Sequence, residues 1–269
     1  MKVVVKLMGG LGNQMFQYAF GRFISDNTGR ELILDTSFLE RRDMAHDFTY
    51  RNYDLDVFNL DVKLVSEFNE PFELISQDWN HLHKIQPELI ERSLSSKFDN
   101  IYIDGYWQSP KYFNNEKYFE FKYPVLESSL SLLDEIKNSE SVMVHIRRGD
   151  FLKNEEFSGY YGKEYLDKVL SLLPINNYNF FIFSDDIEWC EDNLSDLGTI
   201  VDNSHSGFKN SNHLKLMSSC KYFIIPNSSF SWWSAFLSNS EHVYYPFNWI
   251  KSYHTPIVDL FLEKWTPIK

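Results

Sequence analysis

The stretch from Lys2 to Asp35 restricts the fold more than any other. A short Val-rich run, Lys2 to Met8, meets the turn Gly9-Gly10-Leu11-Gly12. Asn13 to Ser25 then carries Met15, Phe16, Ala19, Phe20 and Phe23 at helical spacing, and Glu31 to Asp35 (ELILD) reads as a second strand. Strand, glycine turn, helix and strand in this order form a parallel βαβ unit. From Thr36 to about Lys97 the chain is polar, aromatic and aperiodic, which reads as irregular insertions with short helices. Alternation returns with strands at 101–105 (IYIDG), 142–146 (VMVHI) and 178–183 (YNFFIF), and helices near 130–137, 163–173 and 187–194. A helix at 212–219, a strand at 222–225, a helix at 230–237 and a last strand at 243–245 complete the pattern, which reads as a second doubly wound half. No fixed-period repeat, low-complexity tract or Gly/Ser linker separates the two halves.

Composition excludes several function classes. With 43% apolar and 17% aromatic residues the 269-residue chain can bury a large core, so disorder is excluded. A formal charge of −12 disfavours nonspecific nucleic-acid binding and docking to acidic lipid. Two cysteines, Cys190 and Cys220, are too few for a disulfide framework or a structural zinc site, which fits a reducing compartment. The N-terminus lacks a signal peptide's hydrophobic region, and no run approaches the roughly 18 apolar residues that span a bilayer. A cytoplasmic protein, at most peripheral at the inner membrane face, is expected.

Four motifs carry chemistry. The turn Gly9–Gly12, with Gly10 and Gly12 flanking Leu11, precedes a helix whose N-terminal N–H groups suit negative charge, and Asn13 and Gln14 suit a hydroxyl-rich ligand. A tight turn without a ligand fits equally well, and Met15 at the third glycine position rules out a dinucleotide fingerprint. His145-Ile146-Arg147-Arg148-Gly149-Asp150 follows a buried strand, where open α/β sheets bind ligands. Arginine's fork matches phosphate oxygens, and Asp150 either orients an arginine or acts as a base. In Ser184-Asp185-Asp186, one aspartate caps the next helix and the other is available to a ligand. Asn227-Ser228-Ser229-Phe230-Ser231 opens a helix with hydroxyls and backbone amides able to cradle an anion, with Trp232 and Trp233 as core. Asp54-Leu55-Asp56 has the spacing of a metal-binding pair but no strand before it and reads as surface. His81 and His83 lack companions at metal-ligand spacing, so no metal site is expected. No G-x-S-x-G elbow or P-loop occurs.

GGLGNQMFQYA at 9–19, HIRRGDF at 145–151, SDD at 184–186 and LMSSCKYFIIPNSSFSWWSAFL at 216–237 resemble the α-1,2-fucosyltransferases of glycosyltransferase family 11. The resemblance runs in order from the first strand to the last. It implies an α/β, GT-B-like fold of two Rossmann-like halves facing a cleft. Residues 1–138 are the acceptor-binding half with the glycine loop, 139–250 the GDP-fucose-binding half, and 251–269 a tail packing back on the protein. The implied reaction is inverting, metal-independent transfer from GDP-β-L-fucose to a galactoside, with no cofactor. The acceptor is a galactose-containing oligosaccharide, a lipid-linked O-antigen repeat among the candidates. By resemblance, Arg147 clamps the diphosphate, and His145 and Asp185 help hold the nucleoside or fucose. Asp150 shapes the arginine loop, and Asn13 lies near the sugar in transfer. Gly10, Gly12, Gln14, Arg148, His213, Asn227, Ser228, Ser229, Phe230 and Ser231 complete the donor set. One departure stands out: the family commonly has an acidic residue where this chain has His213. A neutral imidazole offers guanine one acceptor where a carboxylate offers two. Asn212 and Asp202 are the local substitutes, and the general base is unassigned. A GT-B transferase with another nucleotide sugar, or an inactive glycan- or nucleotide-binding protein, is the alternative.

Overall fold

A computed structural model describes residues 1–41, 49–78, 85–113, 118–153, 163–173, 177–250 and 259–269. The chain divides into two compact units, Met1–Lys122 with Val258–Leu262, and Tyr123–Ile257 with Glu263–Lys269. Unit 1 is built on β1 (Lys2–Lys6), β2 (Glu31–Asp35), β3 (Lys63–Val65), β4 (Glu73–Ser76) and β5 (Asn100–Asp104). All pair in parallel, in the order β3-β2-β1-β5-β4. Val3, Val4 and Val5 are completely buried, as a central parallel strand requires. α1 (Leu11–Thr28) links β1 to β2, followed by the single turn α2 (Ser37–Glu40); α3 (Pro87–Ser95) precedes β5.

β3 and β4 correct the reading of 36–97 as helices and irregular chain. They are the two sheet edges, three and four residues long, and expose Leu64 and Leu74, so no buried run marks them.

Unit 2 opens with α4 (Leu130–Asn138), which packs on β6 (Glu140–Ile146). The division therefore falls ahead of this helix rather than after residue 138. α5 (Lys163–Leu170), β7 (Tyr178–Ser184), α6 (Ile187–Leu194) and β8 (Thr199–Val201) follow, then α7 (Ser211–Ser218), β9 (Tyr222–Ile224), α8 (Ser229–Ser238), β10 (His242–Pro246) and β11 (Thr266–Ile268). The six strands run parallel in the order β11-β10-β9-β6-β7-β8. Val142, Val144 and Ile146 of β6 pack with Ile182 of β7 and with Leu166 and Val169 of α5. β11 pairs with β10, so 243–245 is not the last strand. β8 and β11, three residues each, were too short to read.

Strand order reverses between β1 and β5 in unit 1 and between β6 and β9 in unit 2. Ligands of open α/β sheets bind beyond the strand ends at such points. No helix among the described residues is long and apolar enough to cross a membrane.

Candidate active site

β6 delivers the arginine motif to the switch point of unit 2. Arg147 lies between two carboxylates, its Nη1 2.7 Å from Asp185 Oδ2 and its Nη2 2.7 Å from Asp150 Oδ1. A guanidinium has five N–H donors, so three remain after these pairs. Asp185 Oδ1 also accepts the Arg148 backbone N–H at 2.8 Å. Both of its oxygens thus hold the arginine loop, a task the sequence suggested for Asp150 alone. The loop passes so close to this carboxylate that a Cβ on Gly149 would lie 2.6 Å from Asp185 Oδ2, which explains the glycine between Arg148 and Asp150.

Arg148 is engaged elsewhere. Its Nε meets Asp186 Oδ2 at 2.9 Å, and its guanidinium stacks over the Trp189 ring at 4.2 Å. Asp186 is the capping aspartate, its Oδ1 accepting the Trp189 N–H at 3.2 Å, so the N-terminus of α6 is closed. Nothing in the local pattern marked Trp189 as the partner of Arg148.

The N-terminus of α8 is different, since no side chain caps it. Its first N–H groups are the kind that bind anions. Ser231 is fully buried in its first turn; its Oγ donates to Ser228 O at 3.2 Å and stands 2.8 Å from His145 Nδ1. With the hydroxyl proton directed at Ser228, the imidazole is the donor at Nδ1, and Nε2 is left as an acceptor. Burial first, and Arg147 second, push the His145 pKa down to about 3, so the ring is neutral. The Phe230 ring lies 6.2 Å from that of His145. His145 therefore ties the strand that carries the arginines to the open end of α8.

The remaining unit 2 residues are mostly committed to structure. Asn227 is buried, and its Nδ2 donates to Trp249 O at 2.9 Å. The Asn212 amide donates to Ser129 Oγ and His205 O and accepts from Leu126 N, which corrects the expectation that it could read a base. His213 is 6% exposed, and its Nε2 donates to Asp202 O at 3.0 Å, leaving Nδ1 as its acceptor. Burial lowers its pKa as well. The Asp202 carboxylate binds the Ser204 N–H and hydroxyl, which lower its pKa. Among the described residues, no group of three or more His, Cys, Asp and Glu side chains is placed to hold a metal ion. His81 and His83 lie outside the described residues.

In unit 1, Gly10 precedes α1 and no side chain caps it. Asn13 is partly exposed in the first turn, whereas Gln14 is fully buried. The Gln14 amide donates to Gly9 O and Asn52 O and accepts from Asp54 N, stapling the 52–54 loop to the glycine turn. This corrects its assignment as a ligand group, because both ends of the amide are used internally. Asp54 and Asp56 are both partly exposed, and the Asp54 backbone N–H is the one held by Gln14. Gly12 is buried within the helix.

The sequence profile of glycosyl transferase family 11 matches residues 1–269. The chain belongs to this family. The family 11 chain is 32% identical to the alpha-1,2-colitosyltransferase of Escherichia coli over 99% of both chains. It is 27% identical to the O-antigen biosynthesis glycosyltransferase WbnK of Escherichia coli, over 87% of this chain and 90% of that one. In structure it resembles the fucosyltransferase NodZ from Bradyrhizobium, with a TM-score of 0.54 at 15% identity over 87% of this chain and 92% of that one. NodZ has also been solved after soaking with GDP-fucose. The fold is thus α/β and GT-B-like, with two Rossmann-like units, and the chain is a glycosyltransferase.

Proposed function

We propose that this chain transfers L-fucose from GDP-β-L-fucose to the 2-hydroxyl of a galactoside in a surface glycan such as an O-antigen repeat, with inversion and without a metal ion. One observation carries this reading: the His145–Ser231 contact draws the arginine loop and the uncapped end of α8 to one switch point. The acceptor oxygen bonds to the fucose anomeric carbon as the bond to the β-phosphate breaks. The hydroxyl proton passes to the departing phosphate or to water. Negative charge builds on the leaving diphosphate, and the free donors of Arg147 and the first N–H groups of α8 meet it. His145 supplies an acceptor at Nε2 for a donor hydroxyl. The site's carboxylates, Asp150, Asp185 and Asp186, each pair with an arginine, which favours their holding the loop over their holding a cation. Unit 2 takes the nucleotide, and unit 1 takes the acceptor and places Asn13 at the sugar.

A second reading, transfer of colitose, is favoured by the colitosyltransferase relative. Colitose is fucose without its 3-hydroxyl. A site that hydrogen-bonds that hydroxyl rejects the deoxy sugar strongly, whereas an apolar site barely distinguishes the two. Incubation with GDP-fucose or GDP-colitose and a set of galactose-terminated oligosaccharides, with product masses and linkage read out, decides between them. No product from either donor would overturn the proposal.

A further inference from the structure

The loop after β5, Gly105-Tyr106-Trp107-Gln108-Ser109, stands across the switch point of unit 1 from the glycine turn that follows β1. Trp107 is completely buried, yet its φ is +55°. Bulky residues rarely adopt that conformation, and it persists only where the surroundings over-determine it. Here they do. Gln77 Oε1 accepts both the Tyr106 and Trp107 N–H groups, at 3.1 and 3.0 Å, and Gln17 Nε2 donates to Gly105 O. The indole stacks on Phe20 with ring centroids 4.4 Å apart, and the Ser109 N–H closes the turn on Trp107 O at 2.8 Å.

With Trp107 turned into the core, the next side chain reaches back over the sheet end. Gln108 Nε2 donates to Asn13 Oδ1 at 2.8 Å. The other end of the Asn13 amide occupies the space beside Gly9, where a Cβ would lie 2.4 Å from Nδ2. Gly9 itself has φ +75°, so the backbone and the close approach both call for glycine. With one Oδ1 lone pair held by Gln108, the amide orientation is fixed and its Nδ2 N–H donors are the groups Asn13 offers a ligand.

We infer that Gln108 is a positioning residue for transfer: it holds Oδ1 of Asn13 so that the amide presents N–H donors to a sugar oxygen, and the Trp107 turn aims it. This rests on the proposed placement of Asn13 at the sugar. The test measures kcat, donor KM and melting temperature of the full chain, using whichever of GDP-fucose and GDP-colitose supports turnover. Gln108→Leu removes the hydrogen bond, and Gln108→Glu keeps the shape but accepts instead of donating. Each should lower kcat about tenfold, with donor KM held within about twofold. In an Asn13→Ala background neither change should lower kcat further, because the effect travels through Asn13. A merely structural Gln108 would lower activity equally in both backgrounds, and that result, or full kcat in Gln108→Glu, overturns the inference. Gln108→Glu also carries the test if Gln108→Leu fails to fold. Wild-type turnover in Asn13→Ala would instead reject the placement of Asn13, and the inference would fall with it.

Discussion

Replacing Arg147 with lysine keeps the charge and removes the fork, so it separates two roles of one side chain. Arg147 bridges Asp150 and Asp185 through different nitrogens, both at 2.7 Å, whereas an ammonium on a flexible stem reproduces one contact at a time. The three side chains are 22%, 32% and 24% exposed, which puts each pair near the range of partly solvated salt bridges, about 0.2–1 kcal/mol. Loss of one pair should therefore cost about 1 kcal/mol, a fall of about 2–4 °C in Tm. The catalytic loss should be much larger. Donors aimed at charge developing in a transition state are each worth about 2.7–4 kcal/mol, or roughly 100- to 1000-fold in kcat. Thermal melting and steady-state transfer on the same preparation separate the two. A variant whose Tm falls as expected but whose kcat stays within about threefold of wild type would show that Arg147 only braces its loop, and the phosphate assignment would be wrong.

Gly149→Ala should displace the Asp185 carboxylate from Arg147, because its Cβ would meet Oδ2 at 2.6 Å; kcat should fall about tenfold, and an unchanged kcat would show that the loop yields instead. His145 has a folded pKa of about 3 against an ordinary value of 6.5, so the unfolded chain binds more protons between those values. Its contribution to stability is present above about pH 6.5 and is lost as pH falls towards 3; the lowered pKa of His213 acts in the same direction. The urea midpoint should fall less from pH 7 to pH 4.5 in His145→Asn, whose amide keeps a donor towards Ser231, than in wild type; equal falls would contradict the assignment. Transfer should be undiminished in excess chelator, and a loss restored by a divalent ion would return the aspartates to metal binding.

The central strands were legible because parallel strands buried on both faces are continuous apolar runs, as in Val3–Val5 and Val142–Val144. The edges were not, since Lys63, Leu64 and Val65 face solvent enough to hide any pattern. In the site, the position of the arginine motif at a strand end was legible, but its partners were not. Asp185 and Trp189 come from the next strand and helix, and only the fold shows that one holds Arg147 while the other stacks on Arg148. Gln14 shows the converse. A polar amide at the mouth of a glycine turn suits a ligand, but here the glycine turn and the aperiodic 52–54 loop take both of its donors and one bond to its oxygen. The strand expected at 101–105 stops at Gly105 and nothing singles out Tyr106 to Ser109, although Gly105 followed by two aromatics and an amide is a signal for a buried anchor beside a presented side chain.

The charges of unit 2 also bear on how a diphosphate would be held. Arg147 and Arg148 face Asp150, Asp185 and Asp186, so the cluster carries a formal charge of −1 and does not attract an anion through its sum. What it offers is direction: three unspent N–H groups on Arg147, and the N–H groups of an α8 end that no side chain closes. Of the two helices that begin at these strand ends, α6 is sealed by Asp186, which also holds Arg148 on Trp189. In the proposed reading a phosphate would therefore meet α8 and Arg147, while Arg148 stays with Asp186 and Trp189. The net-acidic cluster explains why the geometry of the arginine fork, more than its charge, should decide turnover.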